Sequence, residues 1–472
     1  MCLCRAFVII LGILSFASVC DEINDSYQRA KQLQDDKEYA QALSLYEDII
    51  ERDPTYASAY VAGAQLCYDL KDYEKSRTSL MRLFDQHISF GTEVGFNFAN
   101  LLLRVGELSK ARTIFENIYK TFPSPSVTYN IAYISKALGE VDRAIAILEQ
   151  LVARNSNNEE AQFSLGHSLL AKGDFVHGWR QHDRFLRRKR RYTPILREWI
   201  EHHELAEKRI LLNIEGGLGD TIQFFRCAQW LKDEGAIVYA VVQKPLVALF
   251  STCPYIDQLL TNGNPLPAFD ATSTFMTIPA LFDADEEKMS VGIPYIFPDP
   301  EREEYWHQQL REDKQFKIGI CWQADLHNDE SRLLVAHRGI PLELLLRIAQ
   351  VSGISIYSLQ KKDGGVQLDE LNHLLHEFGP DFDETHGSFV DTAAVMRQLD
   401  LVVTVDTAIA HLAGALGVPV WLLLPYLADW RWIIGRADSP WYPSMRIFKQ
   451  PAPFDWESVV EDVITCLLQY VV

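Results

Sequence analysis

Arg209-Ile210-Leu211-Leu212-Asn213-Ile214-Glu215-Gly216-Gly217-Leu218-Gly219-Asp220-Thr221 decides how the second half of this 472-residue chain is read. A β-type run from Arg209 to Glu215 meets a glycine loop, and a helical segment follows from Asp220 to about Asp233. Ala236 to Gln243 is strand-like again. Strand, helix and strand in that order form a βαβ unit, which builds parallel sheets covered on both faces.

Outward from this stretch the alternation continues. Strands are expected at Lys317–Trp322, Ile354–Leu359, Leu399–Val405 and Val418–Leu424. Helices are expected near Pro341–Gln350, Leu368–Phe378, Phe389–Arg397 and Thr407–Leu416. Residues 263–300, rich in Pro and turn formers, can join two Rossmann-like lobes. Such lobes bind ligands outside the carboxyl ends of their strands, so two loops carry most of the information. In the first, the glycines let backbone approach a ligand and the following helix start favours an anion. The loop lacks the full GxGxxG pattern, and Asp220 has an alternative role as a helix N-cap. The second is Val405-Asp406-Thr407-Ala408-Ile409-Ala410-His411. Its helix start, small Ala408 and Ala410, and His411 suit a diphosphate. The same residues also suit ordinary capping.

The first half repeats with a period near 34. The small residues Ala42, Ser76, Ala111, Ala144 and Gly178 follow one another at intervals of 34, 35, 33 and 34. Each of the first four is followed four positions later by a large residue: Tyr46, Leu80, Phe115 and Leu148. Small residues let two helices approach, and the large ones fill the adjacent groove. About five helical hairpins, each burying its apolar face against the next, stack into a solenoid with a concave partner-binding surface. This pattern over residues 23–192 resembles the tetratricopeptide repeat. The fifth unit departs from it by placing His182 where a large apolar residue belongs. It runs into Arg187-Arg188-Lys189-Arg190-Arg191, either a solvated helix end or an attractor for an anionic substrate.

Composition limits the function. The chain is 48% hydrophobic, 11% aromatic and 23% charged, which is ordinary for a globular protein. A formal net charge of -19 argues against nucleic acid and anionic membranes as partners, while leaving room for a small anionic ligand at a local positive site. Its eight cysteines form no CxxC or Cys/His zinc spacing. Residues 1–22 hold Arg5 and an apolar run from Ala6 to Val19, too short for a comfortable membrane span. That run fits a secretory signal or a hydrophobic anchor. We expect a cytoplasmic protein, held at the membrane by its N-terminus at most, with export as the alternative.

Resemblance adds a family. The strings are Gly217-Leu218-Gly219-Asp220-Thr221, Gly319-Ile320-Cys321-Trp322-Gln323, Arg338-Gly339-Ile340-Pro341-Leu342 and Ser358-Leu359-Gln360-Lys361. Then come Val405-Asp406-Thr407, His411-Leu412-Ala413-Gly414, Pro419-Val420-Trp421, Asp429-Trp430-Arg431-Trp432 and Ser439-Pro440-Trp441-Tyr442-Pro443. In this order they resemble the GT-B glycosyltransferases of the heptosyltransferase-related family, in the bacterial branch whose transferase follows tetratricopeptide repeats. The layout is more distantly similar to the O-linked N-acetylglucosamine transferases.

The resemblance implies a fold of α plus α/β class: a repeat solenoid, then GT-B lobes at 209–300 and 315–472. It implies a hexosyl- or heptosyl-type transferase with a nucleotide-sugar donor, a protein or glycan acceptor, a protein in the repeat groove, and neither cofactor nor metal. Asp220 would be the catalytic base. Asp406, Thr407 and His411 would hold the nucleotide, with Gln360 and Lys361 nearby. Asp429 and Arg431 would line the sugar or nucleotide pocket, and Gly217, Gly219, Trp322, Gln323 and Arg338 complete the donor site. One departure is the acidic loop after Trp322, Gln323 to Arg332, which leaves Arg332 or Arg338 to supply positive charge there. The rival reading is a repeat scaffold whose transferase-like region is inactive or senses a ligand. A dinucleotide oxidoreductase fits poorly, because Asp233 and Glu234 precede the second strand instead of closing it.

Overall fold

A computed structural model of the protein describes residues 21–88, 90–187, 195–324, 338–361 and 372–471. The Ala6–Val19 run, residues 188–191 of the basic stretch, the acidic loop from Asp325 with Arg332, and residues 368–371 of the expected Leu368–Phe378 helix lie outside them. No described helix is long and apolar enough to cross a membrane. Packing divides the chain into two compact units, residues 1–147 and 148–472.

The first unit is the helical array that the spacing predicts. After α1 (residues 21–35) come α2 (Tyr39–Arg52), α3 (Ala57–Asp69), α4 (Tyr73–Asp85), α5 (Thr92–Arg104), α6 (Leu108–Thr121) and α7 (Pro125–Ala137). The unit boundary falls within α8 (Val141–Arg154). Ala42, Ser76 and Ala111 are fully buried at the helix crossings, and Tyr46, Leu80 and Phe115 fill the grooves beside them. Ser76 keeps its hydroxyl satisfied by donating to Ala64 O at 2.8 Å. The turns before α2, α4, α6 and α8 each need one left-handed residue: Lys37, Lys71, Gly106 and Gly139, with φ of 65°, 66°, 84° and 83°. Only glycine adopts that conformation without steric cost. Ion pairs link successive hairpins, Arg77 to Glu107 at 2.7 Å and Arg112 to Glu140 at 2.6 Å.

After the end of α8 the second unit holds α9 (Glu159–Lys172) and α10 (Phe175–Arg187), the fifth hairpin of the array by sequence. Leu170, Phe175 and Trp179 of this pair share one hydrophobic core with residues of both sheets that follow. The first sheet has the order β3-β2-β1-β4, from β1 (Arg209–Asn213), β2 (Ile237–Val242), β3 (Gln258–Thr261) and β4 (Ala271–Thr274). The second has the order β6-β5-β7-β8-β9, from β5 (Phe316–Cys321), β6 (Ile354–Ser358), β7 (Leu401–Val405), β8 (Val420–Leu424) and β9 (Met445–Lys449). All pairings in both sheets are parallel. The fold is therefore a repeat array followed by two Rossmann-like lobes. The central strands β7 and β8 are buried along their whole length, which is why Leu-Val-Val-Thr-Val and Val-Trp-Leu-Leu-Leu read as continuous apolar runs.

Several expected elements differ. The long helix from Asp220 is two short ones, Leu218–Phe224 and Cys227–Asp233. Pro341–Gln350 is one helical turn, Leu342–Leu345, tightening into a 3₁₀ turn. Of the expected Leu368–Phe378 helix, the described part is a 3₁₀ turn at Asn372–Leu374, after which His376 bridges Tyr357. Strand β4 runs through the stretch expected to be a linker.

Candidate functional site

The loops at the carboxyl ends of β1 and β7 lead into the helices Leu218–Phe224 and Ala408–Ala415, and the two helix starts meet. A Cβ added at Gly219 would stand 3.0 Å from His411 Cδ2 and 3.5 Å from Ala408 Cα, so a side chain there would press the lobes apart. Gly216, at φ 73°, admits the Asp220 carboxylate where a Cβ would lie 2.1 Å from Oδ2.

Asp220 does not cap its helix from the N-cap position. Gly217 is the N-cap, and Asp220, three residues on, reaches back to accept the Gly217 N–H at 2.7 Å. This is the carboxylate half of a capping box. The other carboxylate oxygen, Oδ1, accepts from Arg431 Nη2. Arg431 is the centre of the site. Its Nη1 donates to Asp429 Oδ1 at 2.8 Å and its Nε to Gln223 Oε1 at 2.7 Å. Burial works against its charge, but Asp429 and Asp220 more than compensate and hold it protonated. Burial likewise acts to raise Asp429, yet Arg431 and its backbone N–H bring the carboxyl down to about 2. Asp220, Asp429 and Arg431, placed in the site by resemblance, thus form one bonded cluster joining the two lobes.

Asp406 is buried at the end of β7, and desolvation raises its pKa against the opposing charge of Arg338. Thr407 is the N-cap of the next helix and accepts the Ile409 N–H at 3.2 Å. His411 lies one turn in. Its Nδ1 is 3.0 Å from Tyr442 Oη, and its ring stacks on Trp432 with centroids 5.4 Å apart. Burial, with Arg431 beside it, lowers its pKa to about 3, so it is neutral at physiological pH.

The remaining expected residues occupy other roles. Trp322 is fully buried with Ile318 and Ile320 in the core beneath Trp456, while Cys321 faces the other core. Strand alternation places Trp322 on the face away from the site, so its side chain cannot line a ligand pocket. Gln360 is a brace. Its Oε1 accepts the Trp322 N–H at 3.1 Å and the Gln323 N–H at 3.0 Å, and its Nε2 donates to Gln323 O at 3.1 Å. Gln323 packs against Gly339, where a Cβ would come within 2.4 Å of Oε1. Lys361 donates to Phe382 O and pairs with Glu384 at 3.6 Å.

Three residues of the site were not read from the sequence. Gln223 is three positions after Asp220, a spacing that puts both on one helical face, and this was its available signal. Tyr442 stands inside the quoted Ser439–Pro443 string. Arg226 gave no signal. It is buried, donates to Trp441 O at 3.0 Å and to Met289 O, and stacks over Tyr295 and Tyr442 at 4.2 and 5.1 Å.

A tetratricopeptide-repeat family model matches residues 129–176. The chain is 25% identical over 415 residues to protein FlbA of Caulobacter vibrioides, an alignment covering 78% of this chain and 66% of that protein. It therefore spans just under two thirds of that relative's length. Among solved structures, it is similar to the glycosyl transferase family 9 protein from Veillonella parvula at 14% identity and a TM-score of 0.42, covering 57% of this chain and 99% of that one. It is also similar to the E. coli ADP-heptose lps heptosyltransferase II at 13% identity and a TM-score of 0.38, covering 56% and 99%. The repeat protein YrrB aligns at 13% identity and a TM-score of 0.31, covering 34% of this chain and 84% of that one.

Proposed function

We propose that the chain is a glycosyltransferase that moves a hexosyl- or heptosyl-type sugar from a nucleotide-sugar donor to an acceptor hydroxyl, without metal. On this reading the repeats recruit the acceptor or a partner protein. The observation that carries it is the meeting of a carboxylate, Asp220, with a helix start at Thr407 and a buried guanidinium between two lobes. In the reaction, the acceptor oxygen forms a bond to the anomeric carbon as the bond from that carbon to the donor phosphate oxygen breaks. The bonding electrons leave with the nucleoside diphosphate. The acceptor's proton passes to Asp220, which acts as general base. The leaving diphosphate is met by the N–H groups at the start of the Ala408–Ala415 helix, with Arg338 as a cationic neighbour. Neutral His411 fits that role without adding charge.

Calorimetry with UDP-, GDP-, ADP- and dTDP-sugars, with no metal added, tests this reading. Binding of one member of the set is the expected result, and no binding at millimolar ligand overturns it. One observation favours the ligand-sensing scaffold instead. Every nitrogen of the Arg431 guanidinium already has an acceptor in Asp220, Asp429 or Gln223. Binding of a donor without release of its nucleotide to any acceptor tried would select the scaffold.

A further inference from the structure

The fifth hairpin lies behind the site. Trp179 of α10 is 1% exposed and stands edge-on to three rings. These are Phe224 at 5.7 Å, Trp430 at 5.7 Å and Trp441 at 6.1 Å. Phe224 ends the helix that carries Asp220, and Trp430 is the chain neighbour of Arg431. On α9, His167 stacks on Trp430 at 5.3 Å, and Ala171 O accepts the Ile434 N–H at 2.9 Å. The two helices are locked to each other, since a Cβ at Gly178 would come within 2.7 Å of Leu170. On its other side α10 is tied to the first lobe by Arg180 to Asp283 at 2.9 Å, and by Asp183 to Arg197, which also reaches Ala280 O.

We propose that this last repeat hairpin is the template that sets the spacing of Asp220 and Arg431, with Trp179 as the positioning residue. A single rigid ring touches the segments that hold both partners, so its shape fixes their separation from behind without reaching the cleft. The hairpin that looks like the end of a recruitment array is then part of the transferase machinery. Its effect on turnover rests on the glycosyltransferase reading above; its effect on the geometry does not.

The test uses the full-length protein. Hydrogen exchange by mass spectrometry is followed in peptides spanning residues 216–225 and 429–434, and nucleotide release is measured with the four nucleotide-sugars named above. In Trp179→Ala, exchange should rise in both peptides together. Any nucleotide release that the native protein shows should lose kcat on the order of 10- to 100-fold, the usual effect of loosened positioning, with donor KM within about twofold. Trp179→Phe should restore most of both, because the ring remains and the indole Nε1 has no hydrogen-bond partner among the described residues. Faster exchange confined to residues 175–187 with unchanged kcat would overturn the proposal, as would a uniform rise across the whole unit. If Trp179→Ala does not fold, His167→Ala takes its place, and a response in 429–434 without one in 216–225 would overturn the template. If none of the four donors is turned over but the two peptides respond together, the template stands and the transferase reading is what fails.

Discussion

Replacing Asp220 with Asn separates the two roles that the carboxylate combines. Asp220 accepts from the Gly217 N–H and from Arg431. The Asn carbonyl can keep the first of these bonds. Its NH₂ group then faces the guanidinium, donor against donor. The Arg431 side chain is 10% exposed, so water replaces the lost acceptor poorly. A charge-assisted hydrogen bond is worth about 1.5–3 kcal/mol, and orphaning a fully buried partner costs about 3–5 kcal/mol. Asp429 and Gln223 remain on Arg431, so the lower range applies and the variant should lose about 1.5–3 kcal/mol in urea denaturation. This differs from the near-zero change expected if Asp220 were an N-cap, where Asn serves as well as Asp. Turnover should fall by about 10²–10⁴, the worth of a positioned base, while calorimetric donor affinity stays nearly constant. A double-mutant cycle with Arg431→Gln should give a coupling of about 0.5–3 kcal/mol. Near-normal turnover on a confirmed acceptor would end the base assignment. Zero coupling would end the ion-pair argument even if activity were lost.

Two further outcomes follow, one in each unit. His182 and His411 are both brought to about 3 by burial and by Arg431, so the unfolded chain binds protons that the native unit refuses. Stability of the second unit should therefore fall as pH drops below the ordinary histidine value, by about 2 kcal/mol per histidine at pH 5. Asp406, shifted upward, works in the opposite direction at lower pH. Urea midpoints at pH 7 and 5 measure the loss, His182→Leu should roughly halve it, and a pH-independent midpoint would refute it. In the first unit, Lys71 holds φ 66° at a turn where Gly106 and Gly139 serve the same purpose. Lys71→Gly should remove a left-handed penalty of about 1–2 kcal/mol and add about 0.5–1 kcal/mol of entropic cost, for a net gain of up to about 1.5 kcal/mol. A lower melting temperature in the variant would contradict that sum.

The central elements were legible because their burial is two-sided or periodic. Strands β5, β7 and β8 are apolar runs, and the repeat positions recur at fixed spacing. The strands that escaped, β3, β4 and β9, all lie at sheet edges. Edge strands are short and need less apolar sequence, and Ala271-Thr-Ser-Thr274 is fully buried without a hydrophobic signature. In the site, Asp220, Asp429 and Arg431 were named one by one, yet their bonding was not, because residues 211 positions apart in sequence carry no pattern that pairs them. Trp322 was placed in the site by its position in a shared string, and strand alternation sends its ring into the core.

His182 shows the same logic from the other side. At its position in the repeat an aliphatic side chain would bury against the next hairpin. Here no further hairpin follows within the described residues. The neighbours are His167, Trp179 and the field of Arg431. A neutral imidazole stacks on the first, meets the second edge-on, and tolerates the third only by staying unprotonated. The departure from the repeat pattern therefore marks where the array stops packing against itself and begins packing against the two Rossmann-like lobes. An irregular last repeat was legible in the sequence; the partner that made it irregular was not, because it lies some 250 residues further along the chain.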